Sequence, residues 1–141
     1  MGNINLGRVI LGGFVAGVII NVFEFVLNGI LLADRWPAVM AAINRPAFTM
    51  HDIVVFNISS FVLGIVAVWT YAAIRPRFGA GVMTGVYAGL LTWVTAYAFA
   101  NVTPVVMGVF SLHLALVLVV VGLVEIVVAT VVGAWLYKEA A

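Results

Sequence analysis

Charged side chains are confined to four short stretches of this 141-residue chain: Arg8, the segment from Asp34 to Asp52, Arg75 with Arg77, and Lys138 with Glu139. Long apolar intervals separate them, and only Glu24 and Glu125 intrude. At 1.5 Å of helical rise per residue, each interval is long enough to cross a hydrocarbon layer of about 30 Å. Inside such a layer no water satisfies the backbone, so a crossing segment is either a helix or a strand of a closed barrel. The apolar runs lack the alternation of a barrel strand. With 66% hydrophobic and only 8% charged residues, the chain has too little polar surface to dissolve as a globular domain. The sequence predicts an all-α integral membrane protein, a single transmembrane domain over 1–141.

Four spans are expected, Val9 to Leu32, Ile53 to Ile74, Gly79 to Ala100, and about Leu112 to Leu136. Asn101, Thr103 and Pro104 supply turn chemistry between the last two, and Gly108 loosens the chain there. Arg8, Arg75, Arg77 and Lys138 fall at one end of such a bundle, against Arg35 and Arg45 at the other, which predicts that both termini are cytoplasmic. Trp69, Tyr71, Trp135 and Tyr137 at span ends suit the membrane–water interface. The first apolar stretch reads as a retained span: it is longer than a signal peptide's core, carries Glu24 and has no small-residue cleavage site after it. Gly2 opens no myristoylation motif, because Leu6 stands where Ser or Thr is needed. The absence of cysteine excludes disulfides and thiolate chemistry.

A shift of 68 residues lays Gly13, Gly17, Asn21, Glu24 and Asn28 of the first span over Gly81, Gly85, Gly89, Thr92 and Ala96 of the third. Trp69-Thr70-Tyr71 likewise recurs as Trp135-Leu136-Tyr137. The pattern predicts two helical hairpins, 1–77 and 78–141, repeated in parallel about an axis along the membrane normal. Lipid gives no hydrophobic drive for helix association, so close approach through small residues is a main source of packing energy. Gly13, Gly17, Gly81, Gly85 and Gly89 are therefore expected at helix contacts, with the first and third spans central, either within the chain or between copies.

Glu24 is the sharpest candidate for a site. A carboxylate at the centre of a bilayer costs at least about 2.5–3.5 kcal/mol on insertion scales, so it needs a partner or a use. Asn21 and Asn28 share its helical face, about 24 Å along the helix from Arg8, and Glu125 lies near the middle of the fourth span. Two such carboxyls turned inward can share a proton or bind a cation. They can equally act as hydrogen-bonding glue with Asn21, Asn28, Asn57, Ser59 or Ser60. The spacing of His51 and His113 matches no metal or haem motif, and no cofactor is expected. The segment around Trp36, Met40 and Phe48, interrupted by Pro37 and Pro46, reads as a short helix at the membrane surface.

No nucleophile elbow, HExxH, phosphate loop or dinucleotide fingerprint is present, so the reading is non-enzymatic. A formal net charge of +1, spread over two faces, offers nucleic acid no basic patch. The segments GRVILGGFVAGVIINVFEFVLNG, YAAIRPRFGAG and GAWLYKE together resemble a family of small, uncharacterised bacterial inner-membrane proteins with four predicted helices. The resemblance covers most of the chain and implies a bacterial source and four spans. It carries no activity or residue role. Two functions follow: an accessory or structural subunit that packs through its glycine faces against copies of itself or a larger membrane complex, or a small transporter or channel in which Glu24 and Glu125 couple to protons or cations.

Overall fold

A computed structural model describes residues 3–140 of the chain; Gly2 lies outside the described residues. Four helices long and apolar enough to cross a membrane run over Leu6–Leu31, Met50–Phe78, Val82–Val106 and Leu112–Trp135. The first comprises α1 (Leu6–Glu24) and a π-helical continuation, Phe25–Leu31. The short α2 (Trp36–Ala42) leads to α3 (Met50–Phe78). The third is α4 (Val82–Trp93), a π-helical segment Val94–Ala98 and α5 (Phe99–Val106) in one continuous rod, and α6 (Leu112–Trp135) is the fourth.

Local sequence explains where these helices start. The Asn5 side chain accepts from the Arg8 amide at 3.2 Å, and Ser111 accepts from the Leu114 amide at 3.1 Å. Thr49 and Asp52 form a reciprocal capping box at α3. Each such cap contributes about 1 kcal/mol. The expected short helix after the first span is present as α2, with Pro37 in its first turn, where a missing amide hydrogen breaks no bond.

The turn before the fourth span is not where local residue chemistry puts it. Asn101, Thr103 and Pro104 all lie within α5, and the chain reverses at Met107 to Ser111, where Gly108 adopts a φ of +72°. Pro104 forfeits one backbone hydrogen bond, yet its carbonyl accepts from the amides of Val109 at 2.9 Å and Phe110 at 3.1 Å and so closes the helix one turn later. In an apolar setting, keeping the remaining backbone bonds outweighs the turn preference of three residues.

The order of packing also corrects an expectation. α1 packs on α3 and α6, α4 packs on α6 and α3, and α3 meets α6 across the middle, whereas the backbones of α1 and α4 are not adjacent. The second and fourth long helices are the central pair, not the first and third. The glycines of α1 and α4 do not face one another; they receive ridges of the central helices. A Cβ at Gly17 would lie 2.7 Å from Phe61 Cα, and one at Gly89 would lie 2.9 Å from Val127 Cα. Gly13 meets Ile65, Gly85 meets Val131, and Gly64 returns the approach by lying against the backbones of Gly13 and Gly17. Gly81 is the exception to the expected packing set: it precedes α4 with a φ of +145° and open space around it. Its role is to turn the chain, not to pack it.

One end of the bundle is tied by two tyrosines. Tyr137, from the end of α6, accepts from the Asn5 amide at the start of α1, while Tyr71, near the end of α3, accepts from the Gly81 amide at the start of α4. Their rings meet edge to face at 5.9 Å, and Arg75 lies over Tyr137 and reaches Glu139 at 3.4 Å. At the other end the packing is looser: every residue of α3 from Ile53 to Ser59 is exposed, on all sides of the helix.

These contacts set an expected outcome. Gly17→Leu must displace the Phe61 backbone and should lower stability by roughly 1–3 kcal/mol, the usual cost of overpacking. Gly81→Leu meets no neighbour and should lose only the roughly 1–3 kcal/mol tied to its extended, positive-φ backbone conformation. Thermal unfolding of both variants in the same detergent compares them, and equal, unchanged midpoints would refute this packing.

Candidate functional site

The two acidic side chains inside the long helices meet through a residue the sequence reading passed over. The Tyr97 hydroxyl lies 2.8 Å from Glu125 Oε1 and 3.4 Å from Glu24 Oε1. On its far side, Glu24 Oε2 accepts a very short hydrogen bond from the Asn28 side-chain amide. The constellation runs from the end of α1 through the π-helical segment of the third rod to the middle of α6.

Each element places its side chain for a reason. Asn28 sits four residues beyond Glu24, where the helix stays in register with its own previous turn even as it widens into the π segment. Tyr97 stands in the second π segment, which carries its ring across to α6. Gly122 makes room for that ring: a Cβ there would overlap the phenol, coming within 2.6 Å of Cε1. Glu125, three residues further along α6, then presents its carboxyl to the hydroxyl. Trp93, one turn before Tyr97, fixes the rod against α6 by donating from Nε1 to the Val119 carbonyl at 2.8 Å.

Glu125 is completely buried, and Glu24 is half-buried. Among the described residues neither carboxyl has a lysine, arginine or histidine within ion-pair distance. Glu125 Oε2 and Asn28 Oδ1 are buried without a hydrogen-bond partner. On the side toward the tyrosine-tied end, Ala16, Ile20, Ala88, Ile126 and Ala129 are all at most 1% exposed and form a dry floor. On the other side, Asn28 is part of the wall of a cavity of about 230 Å³ that Trp36, Met40 and Phe48 also line. Asn28 is thus the member of the constellation that reaches the cavity at the α2 end, while Glu24, Tyr97 and Glu125 do not line it.

Of the expected polar site, Glu24, Asn28 and Glu125 come together, and Asn21 and Asn57 do not join them. The Asn21 amide donates to the carbonyls of Gly17 and Asn57, at 2.9 and 3.3 Å, and ties α1 to α3. The Asn57 side chain turns back to the Ile53 carbonyl on its own helix. Both amides are spent on backbone carbonyls instead. Tyr97 left no distinct sequence signal: it falls three residues before the end of the expected span Gly79 to Ala100, as Tyr71 and Tyr137 also fall at span ends, and Tyr87 lies deeper in that span.

The histidines lie outside the site. His51 is exposed in the first turn of α3, 3.9 Å from Asp52. His113, in the first turn of α6, lines a separate surface cavity of about 320 Å³ with Arg35 and Ser111. Among the described residues no group of three His, Cys, Asp or Glu side chains is placed to hold a metal ion.

The ring-to-glycine contact gives an expected outcome. Gly122→Ala should push the phenol away from Glu125 and destabilise the fold by roughly 1–3 kcal/mol. The loss should shrink when Tyr97 is Val, whose side chain leaves room for the methyl. A double-mutant cycle read by thermal unfolding measures that coupling, and strict additivity would show that the ring and Gly122 do not touch.

A comparison with models of protein families finds no match to the chain, and comparisons with curated proteins and with solved structures find none either.

Proposed function

We propose that this chain is a multi-pass membrane protein, non-enzymatic, that acts as a small transporter or channel and binds a proton or another cation at the Glu24–Glu125 pair. One observation carries this reading: two acidic side chains converge in the interior with no basic residue among the described ones within ion-pair distance. Carboxyls that serve only as structural glue are ordinarily matched by cations or by enough donors, because an uncompensated buried charge is strongly unfavourable. Here Glu125 Oε2 is left without any donor. The cation that would balance the pair comes from outside the chain. A cavity against Asn28 on the α2 side, with a dry floor on the other, suits a site loaded from one face.

The accessory-subunit reading draws support from a different feature. Asn57 and Ser59 are exposed on α3 well inside an apolar helix, and polar side chains at such positions act as contacts between membrane helices. A partner, whether a second copy or a larger complex, would meet the chain there and not at Gly13, Gly17, Gly85 or Gly89, which are occupied by Ile65, Phe61, Val131 and Val127 of the same chain.

Duplication of a hairpin fits the pattern of ties at the closed end, where Tyr71 of the first hairpin caps the start of the second and Tyr137 of the second caps the start of the first. The two π segments, Phe25–Leu31 and Val94–Ala98, also overlap under the shift of 68 residues. For orientation, the end bearing Arg8, Arg75, Arg77 and Lys138 is assigned to the cytoplasm of a bacterial inner membrane.

Two measurements test these assignments. Single cysteines at Ala140 and Ala42, in a chain with none of its own, should be labelled from the cytoplasmic and periplasmic sides respectively; labelling of position 140 from the periplasm would reverse the topology. In liposomes, Glu24→Gln and Glu125→Gln keep the shape of the side chains and remove the titratable group, so each should fold and abolish cation flux. Wild-type liposomes that pass no proton, sodium, potassium or lipophilic cation would leave the accessory-subunit reading in its place.

A further inference from the structure

We infer that the cation held at this site is a proton, and that Tyr97 is the bridge that passes it between Glu24 and Glu125. The inference rests on the cation-binding reading and narrows it. It follows from a count of hydrogens. A phenol carries one hydroxyl hydrogen, yet the Tyr97 oxygen is in hydrogen-bond range of two carboxyls, 2.8 Å from Glu125 and 3.4 Å from Glu24. The one hydrogen serves the shorter contact, to Glu125. The longer contact to Glu24 closes into a hydrogen bond when that carboxyl carries a proton and donates it to the Tyr97 oxygen. Nothing else supplies a hydrogen on that edge, since the Asn28 amide donates to the other oxygen of Glu24.

The same geometry favours a proton over a metal ion that would bridge the two carboxyls. Metal ions exchange their water for several oxygen ligands arranged around them. The point between the two carboxyls, where such an ion would sit, is filled by the Tyr97 oxygen itself. No cluster of three acidic or imidazole groups exists among the described residues to provide another.

Transfer through the bridge balances without a free phenolate. The Glu24 carboxylic O–H gives its proton to the Tyr97 oxygen as the Tyr97 O–H gives its own to the Glu125 carboxylate. Glu24 is left as a carboxylate, Tyr97 is again a phenol, and Glu125 is the acid. Glu24 is half-buried and tied to Asn28, which lines the cavity at the α2 end, so it is the loading group; Glu125 is fully buried and receives. Tyr97 spans the gap because the π segment brings its ring against Gly122.

The test uses the full chain in liposomes with a trapped pH indicator, together with infrared spectra of the same samples at neutral pH. Wild type should take up protons equally well with sodium, potassium or neither present, and should show a carboxylic-acid C=O band that Glu24→Gln removes. Tyr97→Phe keeps the ring against Gly122 and removes the hydroxyl; it should shift that band and slow uptake at least about tenfold, the worth of one hydrogen bond. Uptake that requires sodium or potassium, or that is unchanged in Tyr97→Phe, overturns the proton bridge while leaving cation binding intact. If no cation moves at all, transport fails and the infrared band decides the bridge by itself: a band shifted by Tyr97→Phe supports it, and an absent band overturns it. Should Tyr97→Phe not fold, the wild-type band with and without Glu24→Gln gives the same decision.

Discussion

Close backbone contact at glycine governs the rest of this structure. In a lipid setting apolar side chains gain little by leaving one apolar medium for another, so helices hold together by fitting closely. Gly64 against Gly13 and Gly17, and Gly12 against Gly133, bring the backbones of α1, α3 and α6 together at a separation that no Cβ allows. That closeness produces the ring of residues with almost no exposure, Ala16, Ile20, Ala88, Ile126 and Ala129, directly beneath the carboxyls. Without it Glu125, which is fully buried, would be open to water from the tyrosine-tied end. The glycines and the acidic residues are two parts of one device, the first keeping dry what the second keeps charged or neutral.

The helices were legible from sequence because the hydrocarbon layer imposes a length and forbids charge, and both are properties of single residues summed over a window. Each of the four expected spans coincides with a long helix to within a few residues at most ends. What failed was reasoning from local preference where the surroundings decide. Asn101, Thr103 and Pro104 are turn formers in water, yet they continue a helix here, and the reversal falls at Gly108, whose positive φ a lone glycine permits. The central position of α3 and α6 was hidden for a related reason. A glycine stripe tells that something comes close, but not whether another glycine stripe or a ridge of Phe61 and Ile65 fills it.

The site was half legible. Glu24 and Glu125 announce themselves by cost, and Asn28 by sharing a helical face with Glu24. Asn21 and Asn57 carry the same signal and serve the backbone instead, since an amide hydrogen-bonds to whatever carbonyl lies nearest. Tyr97 was missed because a tyrosine is apolar enough to pass as packing. Its role also depends on a π-helical segment, which shifts the angular position of every residue after it and which no hydrophobic period reveals. The tie between α1 and α6 therefore had to be seen in three dimensions.

The uneven packing along the bundle has a mechanical consequence. At one end two tyrosine hydroxyls, a ring-to-ring contact and an arginine over a ring lock the helix starts and stops together; at the other, α3 is exposed from Ile53 to Ser59 and touches its surroundings through Phe56 on Phe48 and the Asn57 carbonyl on Asn21. Thermal motion concentrates where buried contacts are few. The molecule is built like a clothes-peg, with its spring at the tyrosines and its jaws at α2, and the carboxyls lie just behind the jaws. By lever geometry, a given angular displacement at the spring would separate the tips most, and so would act on the half-buried Asn28 and Glu24 before the fully buried Glu125.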